Sequence, residues 1–131
     1  MAAGLSPTKA NEFLDNMCNA GSVTSVTALY IKLHLGDPGL AGAGNPAANT
    51  TRVSASMAAA ASGAITNDAA ITWTSVPSTE TYSHISAWDH LTSGTFLFSD
   101  ALASSRAVTA GDNFQINTGD LDISLTPLSA A

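Results

Sequence analysis

VTALYIKLHL, residues 26–35, is the stretch that decides the fold. Leu29, Ile31, Leu33 and Leu35 alternate with Ala28, Tyr30, Lys32 and His34. A period of two puts one set on the buried face of a strand and the other on a wetter face. The strand stops at Gly36-Asp37-Pro38-Gly39, a run rich in turn-forming residues.

Upstream the period changes. Phe13, Leu14, Met17 and Cys18 recur at helical spacing and form one apolar stripe. Ser6 is placed to cap the helix and Pro7 suits its first position, so a helix is predicted over about residues 7–19. Asn19-Ala20-Gly21 closes it. Cys18 reads as a small apolar residue of the stripe, with no adjacent His or cation to activate a thiol.

Downstream, residues 36–51 read GDPGLAGAGNPAANTT, with one sizeable apolar side chain, Leu40, and no periodicity. A loop this long inside a small domain is commonly functional or docked on something. It is the first choice for an arm that meets a partner, through Gly36, Asp37, Pro38, Leu40, Asn45, Pro46 and Asn49. Arg52 is placed to anchor its end through carboxylate or backbone contacts, or to stand as an ordinary exposed strand residue. The N-terminal segment is the second choice.

Further strands are predicted near residues 52–59, 70–76, 83–89, 95–99, 114–117 and 121–125. Ser62-Gly63, Asn67-Asp68, Pro77-Ser78, Ser93-Gly94, Ala110-Gly111-Asp112 and Thr118-Gly119-Asp120 separate them. Residues 58–61 could be a helical turn instead. The sum is a mainly β chain: a β-sandwich of about 6–8 short antiparallel strands with one short N-terminal helix, read as one domain over residues 1–131. Its β core covers about residues 26–35 and 52–126.

Composition excludes several classes. Of 131 residues, Lys plus Arg number 4 and Asp plus Glu 10, a formal charge of −6. So few cations cannot neutralise many phosphates or hold an anionic membrane surface, and neither nucleic acid nor membrane is expected as a partner. No apolar run reaches the ~18–20 residues that span a bilayer. The first residues show no basic and apolar leader pattern. Charged residues make up 11% of the chain, against about 25% in an ordinary globular protein. Such a surface is expected to be covered in part by neighbours.

Chemistry-bearing patterns are sparse. A single cysteine excludes an intrachain disulfide and a multi-cysteine metal site. His84 and His90 on one regular strand would stand about 20 Å apart, too far for one metal. Most aspartates fall at turns, where Asp bonds nearby backbone. No G-x-S-x-G elbow, H-E-x-x-H, phosphate loop or calcium loop occurs. Neither catalytic residues nor a cofactor is expected. Trp73, Tyr82, Trp88, Phe96 and Phe98 could stack on sugar rings, although their strand positions favour core packing.

Five stretches together carry a resemblance. They are LHLGDPG (residues 33–39), NPAANTTR (45–52), SGAITNDAAITWTSVPSTETYSHISAWD (62–89), SGTFLFSDAL (93–102) and AVTAGDNFQINTGDLDISL (107–125). In this order, after a short helix, the chain resembles a group of small virion proteins of tailed phages, many from phages of actinobacteria. Members are commonly labelled tail-fibre or minor tail proteins, and related small β-domains decorate capsids. The resemblance implies a non-enzymatic structural protein located in the virion. The first expectation is a decoration subunit on the outer capsid surface, reinforcing it. Its partners would be the major capsid protein or other virion proteins, with a homo-oligomer, a trimer by preference. The alternative is a minor tail or tail-fibre component with a host-surface or carbohydrate-binding role.

Overall fold

The computed structural model describes residues 4–125. Residues 1–3 and 126–131, the ends of the expected domain, lie outside the described residues. One helix and nine strands make a mainly β fold among the described residues. In chain order they are β1 (Gly4–Leu5), α1 (Pro7–Cys18), β2 (Leu29–His34), β3 (Val53–Ala55), β4 (Ala64–Thr66), β5 (Ile71–Trp73), β6 (Glu80–Trp88), β7 (Phe96–Val108), β8 (Phe114–Ile116) and β9 (Asp122–Ser124).

The strand predicted at 26–35 is β2, and it lies between β6 and β3 in an antiparallel sheet ordered β1-β7-β6-β2-β3. Two short antiparallel pairs, β5 with β8 and β4 with β9, complete the framework. The alternation holds at the middle of β2 and fails at its end, where Leu35 is 44% exposed and His34, expected on the wetter face, is fully buried. Ile31 and Leu33 are fully buried in a core shared with Ile85 and Ala87 of β6 and with Ile71, Trp73, Phe114 and Ile116 of β5 and β8. Phe114 joins the layers, with ring centroids 5.7 Å from Trp73 and 5.1 Å from Tyr82, the latter edge-on. The result is sandwich-like.

Two strands were not foreseen. β1 and β4 have two and three residues, too short to show a period. β7 also runs nine residues beyond its predicted end at Ser99. Its Ala-Ser-rich second half carries no hydrophobic alternation and is held by pairing with β6. Residues 58–61 form no helical turn; Ala61 and Ala64 exchange backbone hydrogen bonds of 2.9 and 3.0 Å around Ser62 and Gly63. Both turn residues have positive φ, 52° and 76°, which suits a tight hairpin turn.

A register shift divides the faces of β6. Tyr82, His84, Ser86 and Trp88 share a face only in a regular strand. The register shifts between Tyr82 and His84. Tyr82 therefore turns into the core, while His84, Ser86 and Trp88 keep the phase opposite Ile85 and Ala87.

Candidate functional site

Two surfaces were expected to meet partners, and the fold treats them in opposite ways. The 36–51 loop is folded back on the sheet. Leu35 N–H donates to the Asn45 carbonyl (2.8 Å) and Ala47 N–H to the Leu33 carbonyl (3.2 Å), so residues 45–47 continue the line of β3 beside β2. Glu80 receives the Ala48 amide at 2.8 Å and the Asn49 amide at 3.4 Å. Asp37 Oδ1 accepts from Gly39 N–H at 2.8 Å, the local turn contact expected of a short acid.

The middle of the loop lies over β6 and β7. Gly42, with φ +72°, comes so close to Phe96 that a Cβ would stand 2.5 Å from the ring. Below it, His34 is fully buried. Its Nδ1 is 2.7 Å from the Gly44 carbonyl and its Nε2 is 2.7 Å from Ser86 Oγ. Trp88 Nε1–H also donates to Ser86 Oγ (2.8 Å). Burial lowers the histidine's pKa, the Gly44 carbonyl partly opposes that, and nearby Lys32 and His84 lower it further.

Each predicted contact residue can now be placed. Leu40, Asn45 and Pro46 are exposed, Leu40 at 66%. Gly36 and Asp37 are half-buried, and Pro38 and Asn49 are buried within the loop's own packing. The loop is thus packed on the sheet, because small residues let its backbone approach, and it presents Leu40, Asn45 and Pro46 outward.

Arg52 is an anchor, but mainly of a neighbouring loop. Its Nη1 donates to the carbonyls of His90 (2.8 Å) and Ser93 (2.7 Å), and its guanidinium lies 4.2 Å from the centroid of the Trp88 ring. Asp89 closes the same loop by accepting from Thr95 N–H and His90 Nδ1, both at 2.7 Å. Burial raises that carboxyl, but the bonds from His90 and Thr95 outweigh it, so Asp89 sits below its ordinary range.

Helix α1 is the opposite case. Ser6 caps it as predicted, its Oγ accepting from Lys9 N–H at 3.2 Å. The apolar stripe, however, faces outward: Phe13 is 41% exposed, Leu14 56% and Met17 72%, and Cys18 is exposed. The helix instead buries Lys9, whose Nζ pairs with Glu12 at 2.7 Å and also donates to the Thr24 carbonyl at 3.4 Å. That ammonium holds the Glu12 carboxyl below its ordinary range.

Beside the helix runs an apolar groove of about 770 Å³, lined among others by Leu5, Phe13, Val26, Leu29, Met57 and Ile123. Leu5, Leu29, Met57 and Ile123 are also the margin of the hydrophobic core. Sequence reasoning missed this groove because its walls come from seven separate segments: β1, α1, residues 23–29, residues 54–57, β4, β7 and β9. No local period marks such an assembly. The available signal was the stripe itself, a run of large apolar residues in a charge-poor chain.

The rings proposed as a sugar platform do not form one. Trp73 and Tyr82 are buried, and Trp88 is half-covered with Arg52 against it. Among the described residues no group of three or more His, Cys, Asp or Glu is placed to hold a metal ion. No described helix is long and apolar enough to cross a membrane.

A family model described as podophage GP4 fiber I protein gp80 matches residues 4–124. No curated protein shows significant similarity to the chain.

Proposed function

The chain belongs to the podophage GP4 fiber I protein gp80 family, and from that premise we propose that it is a non-enzymatic subunit of a phage fibre, joined to further copies of itself through α1 and the groove beside it. The family's name supports the fibre over the capsid location placed first on sequence grounds. The observation that carries the mode of attachment is the outward apolar stripe. Leu14 and Met17 form a ridge, and the groove adjoins the same helix through Phe13. A ridge and a groove at different places on one subunit suit a heterologous contact, which can close into a ring such as the favoured trimer. Charge sets where a second copy can come close, namely at the apolar ridge and groove. With a net charge of −6, copies repel over most of their surface. The cation among the groove's lining residues, Lys9, is already paired with Glu12. Repeated contacts of this kind reinforce one another in an assembly.

Quantitative mass spectrometry of purified particles, joined to antibody labelling, tests the location. A copy number matching the tail and label on the fibres are expected. A copy number matching the capsid lattice would return the chain to the shell as a decoration subunit that contacts the major capsid protein. Absence from particles would remove the virion reading altogether. Light scattering on the isolated protein tests the self-contact. A monomer at high concentration would overturn it.

A further inference from the structure

The buried His34 joins three segments by a chain of hydrogen bonds that admits one arrangement of protons. A carbonyl can only accept, so the 2.7 Å contact with Gly44 O requires the proton on Nδ1. Neutral Nε2 is then an acceptor and takes the Ser86 O–H at 2.7 Å. Ser86 Oγ in turn accepts from Trp88 Nε1–H at 2.8 Å. Trp88 and Ser86 belong to β6, His34 to β2, and Gly44 to the covering loop. The imidazole is thus a buried side-chain link between the sheet and the cover.

We infer that His34 is an acid-sensitive latch, and that a proton taken up from solvent on Nε2 releases the 36–47 segment from the face of the sheet. With Nε2 protonated, the ring must donate to Ser86 Oγ, which already accepts from Trp88. The Ser86 proton then loses its acceptor. A full positive charge would also stand at a site with no solvent exposure.

The charged and titratable groups around the ring do not relieve this. On β2 the nearest is Lys32, and on β6 His84 sits directly across the ladder from His34. Both disfavour a second positive charge. In the loop, Asp37 already accepts from Gly39 N–H, and Glu80 of β6 holds the Ala48 and Asn49 amides further along. Opening returns the imidazole to water. It also uncovers Phe96, against which Gly42 packs, and the buried Pro38 and Ala47. Acid therefore exposes apolar surface on a face different from α1.

The sign follows from linkage. The closed form holds its proton more weakly than an imidazole in water, so the open form binds more protons as pH falls. The latch is at full strength above about pH 6.5, and opening increases about tenfold per pH unit below that, until the lowered pKa of the closed form is reached.

Amide hydrogen exchange by NMR on the intact chain reads this directly. The Leu35 and Ala47 amides bond across the loop and β2. Their protection, corrected for intrinsic exchange, is expected to fall about tenfold per unit below pH 6.5, while the β6–β7 ladder stays constant. His34→Gln should flatten the profile, and Glu80→Gln should leave it in place. Constant protection in the unaltered chain, a slope that survives His34→Gln, or a slope lost in Glu80→Gln would overturn the latch. Should His34→Gln fail to fold, ring nitrogen shifts of the unaltered protein decide. The expected result is an Nδ1–H tautomer whose titration tracks loss of Leu35 and Ala47 protection. A ring that gains its proton while both amides remain protected would sink the inference.

Discussion

The 36–51 loop and helix α1 pack in ways opposite to those their compositions suggest. The loop has almost no large apolar side chain, yet it is bound to the sheet by backbone bonds, by His34 and by Glu80, and it leaves Leu40 as its exposed apolar group. The helix carries an apolar stripe, yet it turns Phe13, Leu14 and Met17 outward and buries a lysine. Small residues pack by letting backbone come close, and polar atoms then supply the attachment. Large apolar residues reveal a face that prefers cover, but not whether the cover comes from the same chain. A segment can therefore look like an arm and lie packed on the body, while a regular helix leaves its apolar stripe uncovered.

The sharpest way to break the comparison is at Gly42. A Cβ there would meet Phe96 at 2.5 Å, on a backbone with φ +72°. Left-handed strain of about 1–2 kcal/mol adds to overpacking of about 1–3 kcal/mol. Gly42→Ala should lower unfolding stability by about 2–5 kcal/mol in a urea titration. A loss below about 1 kcal/mol would mean that the loop lifts away at little cost, as an arm would.

Arg52 tests the same body from its edge. Arg52→Ala removes two bonds to carbonyls and the contact with Trp88. The site is partly open to solvent, so a loss of about 1–2 kcal/mol is expected. Arg52→Lys should recover little of it, since a compact, strongly hydrated ammonium does not lie flat on the Trp88 ring while its nitrogen meets both carbonyls. Thermal unfolding of the two variants checks the size, and faster exchange of the Thr95 amide checks the place. Full recovery with lysine would show that charge alone matters there.

What could be read without a structure follows the range of each interaction. Period-two alternation made β2 legible, because Ile31 and Leu33 face a common core. Capping made α1 legible to within a residue at either end, because Ser6 and Pro7 act within the first turn. The short strands β1 and β4 were not legible; their partners β7 and β9 lie far along the chain. The register shift between Tyr82 and His84 escaped for the same reason, since Tyr82 turns inward to meet Phe114. Of the candidate surfaces, the stripe residues were recognised but their outward direction was not, and the groove depends on seven separate segments. His34 looked like one more wet-face residue, because nothing in LYIKLH announces that Gly44 will close over it.

The smallest effect on stability is expected on the helix, and it separates the two regions most cleanly. Leu14 and Met17 are 56% and 72% exposed, so their removal gives up little burial within the chain. Glutamine has helix propensity close to that of either residue, so Leu14→Gln with Met17→Gln leaves the local preference nearly unchanged. Unfolding stability of the double variant should then move by less than about 0.5 kcal/mol per site. Self-association by light scattering should nevertheless fall, since the ridge is lost from every copy. A destabilisation as large as that of Gly42→Ala would mean that the stripe holds the domain together. An unchanged mass would mean that copies meet elsewhere. Only the combination of a stable fold and a weakened assembly fits a helix kept for a neighbour, because folding and association draw on different faces of the same short segment.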